Sequence, residues 1–352
     1  TVQKNVKNEK ENEKENKNTN NTLHTRRYQK TTTNIMTSME WTILQPLMPT
    51  PRSLFGMVTV GTGSHIYTVG GLTADATGTD KIKNNVHIDS DVVEIFNVNQ
   101  NKWHQGPSLN QPRSGLGVVA VVDPSDATQQ TGRIFAIGGM YGKQDETDFY
   151  ALPYVEMLDV KNHPNSHPNS HPSSTDAKWI KLPDLPANRT EMAVVYVQGR
   201  IYVIGGAGAT LSSATESMWS MNVLNKDQSS MLSSTEQTKE KWRKEAPLPT
   251  LRAALTAEVI DNQIVVVGGM RGFLASQLDP DPMRTVDVYD PAKRKWKLVQ
   301  DEKSFTPLHL PEGRHSPASV VVPSNAIYST TTRDTSMDES NMLIVGGGYG
   351  TT

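Results

Sequence analysis

With 352 residues, a formal net charge of −2 and no cysteine, the chain has no broad electrostatic attraction to nucleic acid or anionic membrane, and no disulfide, thiolate metal site or thiol nucleophile. Its hydrophobic content of 36% and mean hydropathy of −0.51 are low for a globular protein, and the deficit sits in an N-terminal tail and in inserts between apolar runs. No run approaches the roughly 18 apolar residues of a membrane span, and no apolar leader-like segment opens the chain, so the expected location is cytoplasmic.

Residues 1–34 begin TVQKNVKNEKENEKENKNTNNT. This composition cannot bury enough apolar surface to offset chain entropy, and the segment is expected to be a disordered Asn/Lys/Glu-rich tail. Arg26, Arg27 and Lys30 near its end read as part of that solvated tail, not as a nucleic-acid site. Residues 35–352 are expected to be one repetitive domain. It opens with MEWTILQPLMPTPR at 39–52, which reads as a strand and its exit turn, and TTTNIMT at 31–37 is a candidate for the strand before it.

From Arg52 onward one pattern recurs. Arg52, Arg113, Arg189, Arg252 and Arg314 each follow a proline-rich turn and precede a strand-like run: FGMVTV, LGVVAVV, MAVVYV, ALTAEVI and PASVVV. A second apolar run then ends in paired glycines: HIYTVGG, RIFAIGG, RIYVIGG, QIVVVGG and MLIVGG. The pairs begin at 70, 138, 205, 268 and 346, and intervals of 68, 67, 63 and 78 residues point to propeller blades. Four units add two more strands: VVEIFNVNQNKW, YVEMLDV with Lys178-Trp179, SMWSMNV with Lys241-Trp242, and VDVYDPAKRKW. Continuous β-branched runs suit strands buried on both faces between blades, and the glycines permit φ > 0. Each Trp is expected to cover the outer part of its blade and pack on the next one, with Phe96 and Tyr289 seven residues before Trp103 and Trp296. Arginine, glycine pair and Trp therefore read first as structural residues.

Five glycine pairs, the in-phase Trp103, Trp179, Trp242 and Trp296, and Trp41 ahead of them resemble the kelch repeat over roughly residues 40–350. The resemblance implies an all-β, kelch-type β-propeller with five blades in this chain. The fifth unit stops after its second strand, so the segment around Trp41, which matches KWIKLPDLPANR and KWRKEAPLPTLR, is expected to close the ring and remove its open edges. The alternative is a fragment of a six-bladed ring. Galactose-oxidase-like relatives use a cysteine cross-linked to tyrosine, which a chain without cysteine cannot supply. No BTB-like helical region is evident, which limits the resemblance to ubiquitin-ligase substrate adaptors to the propeller.

Inserts at 72–91, 140–152 and 270–284 separate second and third strands. Another carries a tandem HPNS motif, in which His163, His167 and His171 would share one helical face, but Pro164, Pro168 and Pro172 break any such helix. Segments 225–241 and 328–341 read as flexible polar loops.

No GxSxG, P-loop or HExxH motif is present, and no helical pattern follows the glycine pairs as a dinucleotide site would need. Propeller loops gather around the central channel. In peptide-binding kelch proteins the second residue after the repeat arginine often faces that mouth. Here these are Leu54, Gly115, Glu191, Ala254 and Ser316, which departs from the arginine-rich pocket of acidic-peptide binders. The expected function is a non-catalytic protein-interaction scaffold, a monomeric ring with a protein or peptide partner and no cofactor, metal, nucleic acid or membrane. Candidate binding residues are Leu72, Met140, Tyr141, Glu191, Arg271, His315 and Tyr349. The alternative, a sugar epimerase or other small-molecule enzyme on the same ring, would draw on Glu191, Arg271, His315 and Tyr349.

Overall fold

The computed structural model describes residues 45–60, 64–74, 87–122, 132–142, 149–160, 178–208, 214–223, 242–271, 282–297, 309–310, 312–323, 341–346 and 349–350. The expectations for the tail and the Trp41 strand, the HPNS tract and the polar loops beginning at Asn225 and Tyr328 fall outside these residues.

Every regular element described is a β-strand, all pair antiparallel, and most build blades. Gly56–Val60, His65–Val69, Val93–Asn97 and Lys102–Gln105 form the first; Gly117–Val122, Gly132–Ile137, Val155–Val160 and Ile180–Lys181 the second. The third contains Ala193–Val197, Arg200–Ile204, Met218–Asn222 and Arg243–Lys244, and the fourth Thr256–Ile260, Gln263–Val267, Val286–Asp290 and Lys295–Lys297. Ala318–Pro323 and Asn341–Gly346 pair as two strands of a fifth. In the fifth blade Ala318 pairs with Gly346, where the equivalent pairs are Gly56 with Val69 and Thr256 with Val267. The glycines equivalent to Gly70-Gly71 are therefore 347–348, one residue later than the sequence pattern suggests.

Burial explains the continuous apolar runs. Ile201, Tyr202, Val203 and Ile204 are all sealed from solvent, because one face of the strand packs on each neighbouring blade. Apolar clusters fill the spaces between blades one and two (Val60, Val69, Ile134, Ala136), two and three (Phe135, Met157, Val203, Met221) and three and four (Val195, Ile204, Ile264, Tyr289).

The glycine pair is the clasp between blades. In the four described pairs both residues have positive φ, for example 61° and 94° at Gly205 and Gly206. The second glycine donates its N–H to the carbonyl of the next blade's repeat arginine: Gly71 to Arg113 (2.9 Å), Gly139 to Arg189 (2.8 Å), Gly206 to Arg252 (2.9 Å) and Gly269 to Arg314 (2.8 Å). A Cβ on the first glycine would meet the same carbonyl, at 2.6 Å for Gly205 against Arg252, so the pair combines left-handed geometry with close approach.

The tryptophans pack on the preceding blade, contrary to the expectation that they would face the next. Trp179 of the second blade joins the cluster with Val60 and Leu109 of the first, and its indole N–H donates to the Pro107 carbonyl. Trp103, Trp242 and Trp296 donate in the same sense to Pro46, Pro183 and Ala246. The Pro46 contact places residues 45–51 as the exit turn preceding the first blade, the role expected for that segment. Phe96 and Tyr289 lie against Trp103 and Trp296 with centroids 5.1 Å apart, as their spacing predicts.

The repeat arginines of the first four units are buried inside their own blades, whereas Arg314 is partly exposed and pairs with Glu312 at 3.2 Å. Arg52 pairs with Glu94 (3.1 Å), Arg113 with Glu156 (3.0 Å) and Arg252 with Asp287. Burial pulls these guanidinium pKa values down, and the facing carboxylates oppose it. In the third blade Trp219 holds the register position of the acid. Arg189 instead lies 4.7 Å over its ring and donates to Ser217 Oγ at 2.7 Å; without a countercharge, burial pushes its pKa down to about 10. A second polar knot forms at the outer edge, where Glu245 accepts from Ser220, Tyr289, Arg243 and Arg294.

Candidate functional site at the channel mouth

Beyond the blades, the chain builds a small sheet at the same point of every unit. The residue after each repeat arginine pairs with the residue that follows the glycine clasp: Ser53 with Leu72, Ser114 with Met140, Thr190 with Ala207, Ala253 with Met270 and His315 with Tyr349. In the first four units a third segment returns to the same residue: Leu72 with Asp89, Met140 with Ala151, Ala207 with Ala214 and Met270 with Pro282. The chain between these partners is one insert of each of these four units, so the inserts at 75–86, 143–148, 209–213 and 272–281 all leave from equivalent positions.

The second residue after the arginine adopts the left-handed conformation in all five units, with φ of 53° at Leu54, 59° at Gly115, 52° at Glu191, 52° at Ala254 and 51° at Ser316. Four of these are not glycine, and each carries a Cβ penalty that the surroundings must offset. A belt of backbone hydrogen bonds does so. Gly115 N–H donates to Leu54 (2.9 Å), Glu191 to Gly115 (3.0 Å), Ala254 to Glu191 (2.9 Å) and Ser316 to Ala254 (2.7 Å). Among the described residues no hydrogen bond joins Leu54 to Ser316.

Only one belt position carries an ionisable side chain. The Glu191 carboxyl lies over Gly115: a Cβ there would be 3.1 Å from Glu191 Oε1 and 3.6 Å from Met140 Cε. Oε1 is shut off from solvent and has no hydrogen-bond partner among the described residues. Burial without a compensating charge pushes its pKa up to about 7. Nearby in the chain, Ser114 Oγ is buried without a hydrogen bond of good geometry. Asp89, in the small sheet of the first unit, accepts from Gly142 N–H at 2.7 Å, and burial raises its pKa despite that bond and the facing Ser114.

The sequence-derived candidates are distributed around this rim. Leu72 is half-buried in the first small sheet, and Tyr141 is half-buried opposite Tyr150 in the second. Met140 is 5% exposed, within the second small sheet. The true equivalents of Leu72 in the third and fourth units are Ala207 and Met270, both buried; Arg271 follows Met270 and is exposed at the start of its insert. His315 pairs with Tyr349 in the fifth small sheet, and burial lowers the imidazole pKa. Met140 and Glu191 come together over Gly115, while no ion pair or hydrogen bond among the described residues joins Glu191 to Arg271. Sequence reasoning passed over Asp89 and Ser114; the adjacency of Ser114 to a belt position was the available signal. It also left unassigned the acids Glu94, Glu156 and Asp287, although each follows a valine at one fixed place in its unit.

Among the described residues there is no cluster of three metal-ligating side chains, and no helix is long and apolar enough to cross a membrane.

A family model described as the kelch motif matches residues 51–110 and 251–301. Kelch-like protein 35 of Mus musculus is 26% identical over 264 residues, covering 75% of this chain and 33% of that protein. Kelch repeat and BTB domain-containing protein 12 of Danio rerio is 25% identical over 247 residues, covering 67% and 33%. The chain thus spans about a third of the length of these curated relatives. The solved structure of YjhT superposes with a TM-score of 0.56 at 16% identity, covering 80% of this chain and 78% of that one, a likeness of fold. Glycine clasps, the buried arginines of the first four units and these matches together show a chain that carries kelch repeats and folds as a kelch-type β-propeller.

Proposed function

We propose that the chain is a non-catalytic interaction platform that binds a protein or peptide at the belt side of the propeller. The observation that supports this most is the convergence of all four inserts on equivalent small sheets beside one hydrogen-bonded belt: a rigid frame carrying variable loops at a single rim. On this reading Tyr141, Arg271, Leu72, His315 and Tyr349 belong to the contact rim, Glu191 lies deeper in the mouth, and Met140 supports it from below. The likeness to kelch-like proteins agrees with such a role without specifying a partner.

The small-molecule enzyme is the second reading, and it rests on the displaced Glu191 pKa. Acid–base chemistry needs a second group within reach, which Arg271 does not provide here. A photo-crosslinking residue placed at Tyr141 or Arg271 should capture a discrete partner from native extract, whereas the same residue at Lys102 on an outer strand should not. Equal capture from both places, or none from either, would refute the platform reading.

A further inference from the structure

Independently of that reading, we infer that the outer edge of the third and fourth blades is a second docking surface, taking an Asp/Glu-rich segment of a partner protein. It lies at the strand ends remote from the glycine clasps, where Arg200 begins the second strand of the third blade and Asp290 ends the third strand of the fourth. At its centre the buried Glu245 holds Arg243 (2.6 Å) from one blade and Arg294 (2.9 Å) from the other, and Arg294 also donates to the Lys244 carbonyl at 3.0 Å. Arg200 reaches the same carboxylate through Ser220. The Arg243 and Arg294 side chains nevertheless stay 39% and 48% exposed, and Lys244, Lys293 and Lys295 beside them are exposed as well. The acids of these strands and turns are already paired: Glu245 with the arginines, Asp290 with Lys293 and Lys297, and Asp287 with Arg252. Positive charge therefore faces solvent here, on a chain whose own net charge is −2.

The fold does not require this charge, because other blades build the same structures without it. The first blade closes its outer turn with Val98, Asn99, Gln100 and Asn101, where the fourth has Pro291, Ala292, Lys293 and Arg294. Both turns carry the same hydrogen bond, from Gln100 N–H to Asn97 at 2.9 Å and from Lys293 N–H to Asp290 at 3.1 Å. Both end on a left-handed residue, with φ of 51° at Asn101 and 53° at Arg294, a conformation that asparagine tolerates better than arginine. In the second blade Ile180, opposite Met157, and the buried Leu182 stand where the third has Arg243, opposite Ser220, and Glu245. A carboxylate that orients two guanidinium groups at a solvent edge presents planar forks of donors, which match carboxylates bidentately. Nucleic acid is the less suited polyanion, since Trp242 and Trp296 pack into the clusters between blades instead of standing out as rings for base stacking.

The test is fluorescence anisotropy with a labelled octapeptide of alternating Asp and Glu, a Gln/Ser octapeptide and a thymidine oligonucleotide, at an ionic strength of about 0.15 M. Each probe is titrated with the full chain and with a Lys244→Gln/Lys293→Gln/Lys295→Gln variant, which spares every partner of Glu245. A Lys102→Gln/Lys178→Gln/Lys181→Gln variant, of equal net charge but altered on the first two blades, is the control, and melting temperatures check that all three chains fold. The acidic peptide should bind the full chain and the control alike and the first variant about tenfold more weakly, with affinity falling as salt rises. No binding of the acidic peptide, equal binding by all three chains, or binding of the Gln/Ser peptide or the oligonucleotide as tight as that of the acidic peptide would overturn the inference. Capture through Tyr141 or Arg271 should be unchanged in the first variant, so failure here leaves the belt-side reading standing.

Discussion

Gly205 and Gly206 carry two demands at once, left-handed backbone and contact with the Arg252 carbonyl of the next blade. Replacing either by valine imposes about 1–2 kcal/mol of backbone strain and an overpacking cost of about 1–3 kcal/mol. The expected loss of about 3 kcal/mol per site is measurable by denaturant unfolding. Glu191 gives a pH-dependent prediction. Its folded pKa of about 7 lies above an ordinary carboxylate value near 4.5, so the cost of keeping it ionised is full above pH 7 and vanishes as pH falls through 7 to about 4.5. Glu191→Gln should therefore stabilise the fold by up to about 3 kcal/mol at pH 8 and by little at pH 4.5, read from melting curves at the two pH values; an equal gain at both would contradict the assignment. The need for φ > 0 was legible in the glycine pairs themselves. The isolation of Glu191 was not, because it depends on a glycine and a methionine contributed by another blade.

At the level of elements, the four buried repeat arginines separate into two kinds. Arg113→Ala leaves Glu156 charged and buried, at a cost of about 3–5 kcal/mol. Arg189→Ala removes a stacking contact over Trp219 worth about 2 kcal/mol, and leaves no orphaned carboxylate. Thermal unfolding of the two variants should rank them in that order, and the reverse ranking would show that the Trp219 substitution has a different basis. Strand order, blade membership and the Phe96–Trp103 pairing were readable from spacing alone. The direction of Trp packing was misread, since periodicity says that blades touch without saying which neighbour receives each indole. The small sheets beside the belt were also invisible, because they consist of two- and three-residue pairings and single bridges too short to carry a hydrophobic period.

In the whole molecule, the described residues comprise four complete blades and two strands of a fifth, joined by a clasp at each interface and by the hydrogen-bonded belt from Leu54 to Ser316. The kelch-type architecture was legible because five copies of one weak signal reinforced each other. Binding chemistry was not, since a repeated signal says nothing about the positions at which the copies differ. On the proposed reading a repeated frame supplies stability, while inserts and mouth residues supply recognition. The most direct test of that reading replaces segments 75–86, 143–148, 209–213 and 272–281 by Gly-Ser linkers of equal length and measures both melting temperature and capture of the partner crosslinked through Arg271. A melting temperature within about 3 °C of the parent with capture lost is the predicted result, and retained capture on an intact fold would contradict it.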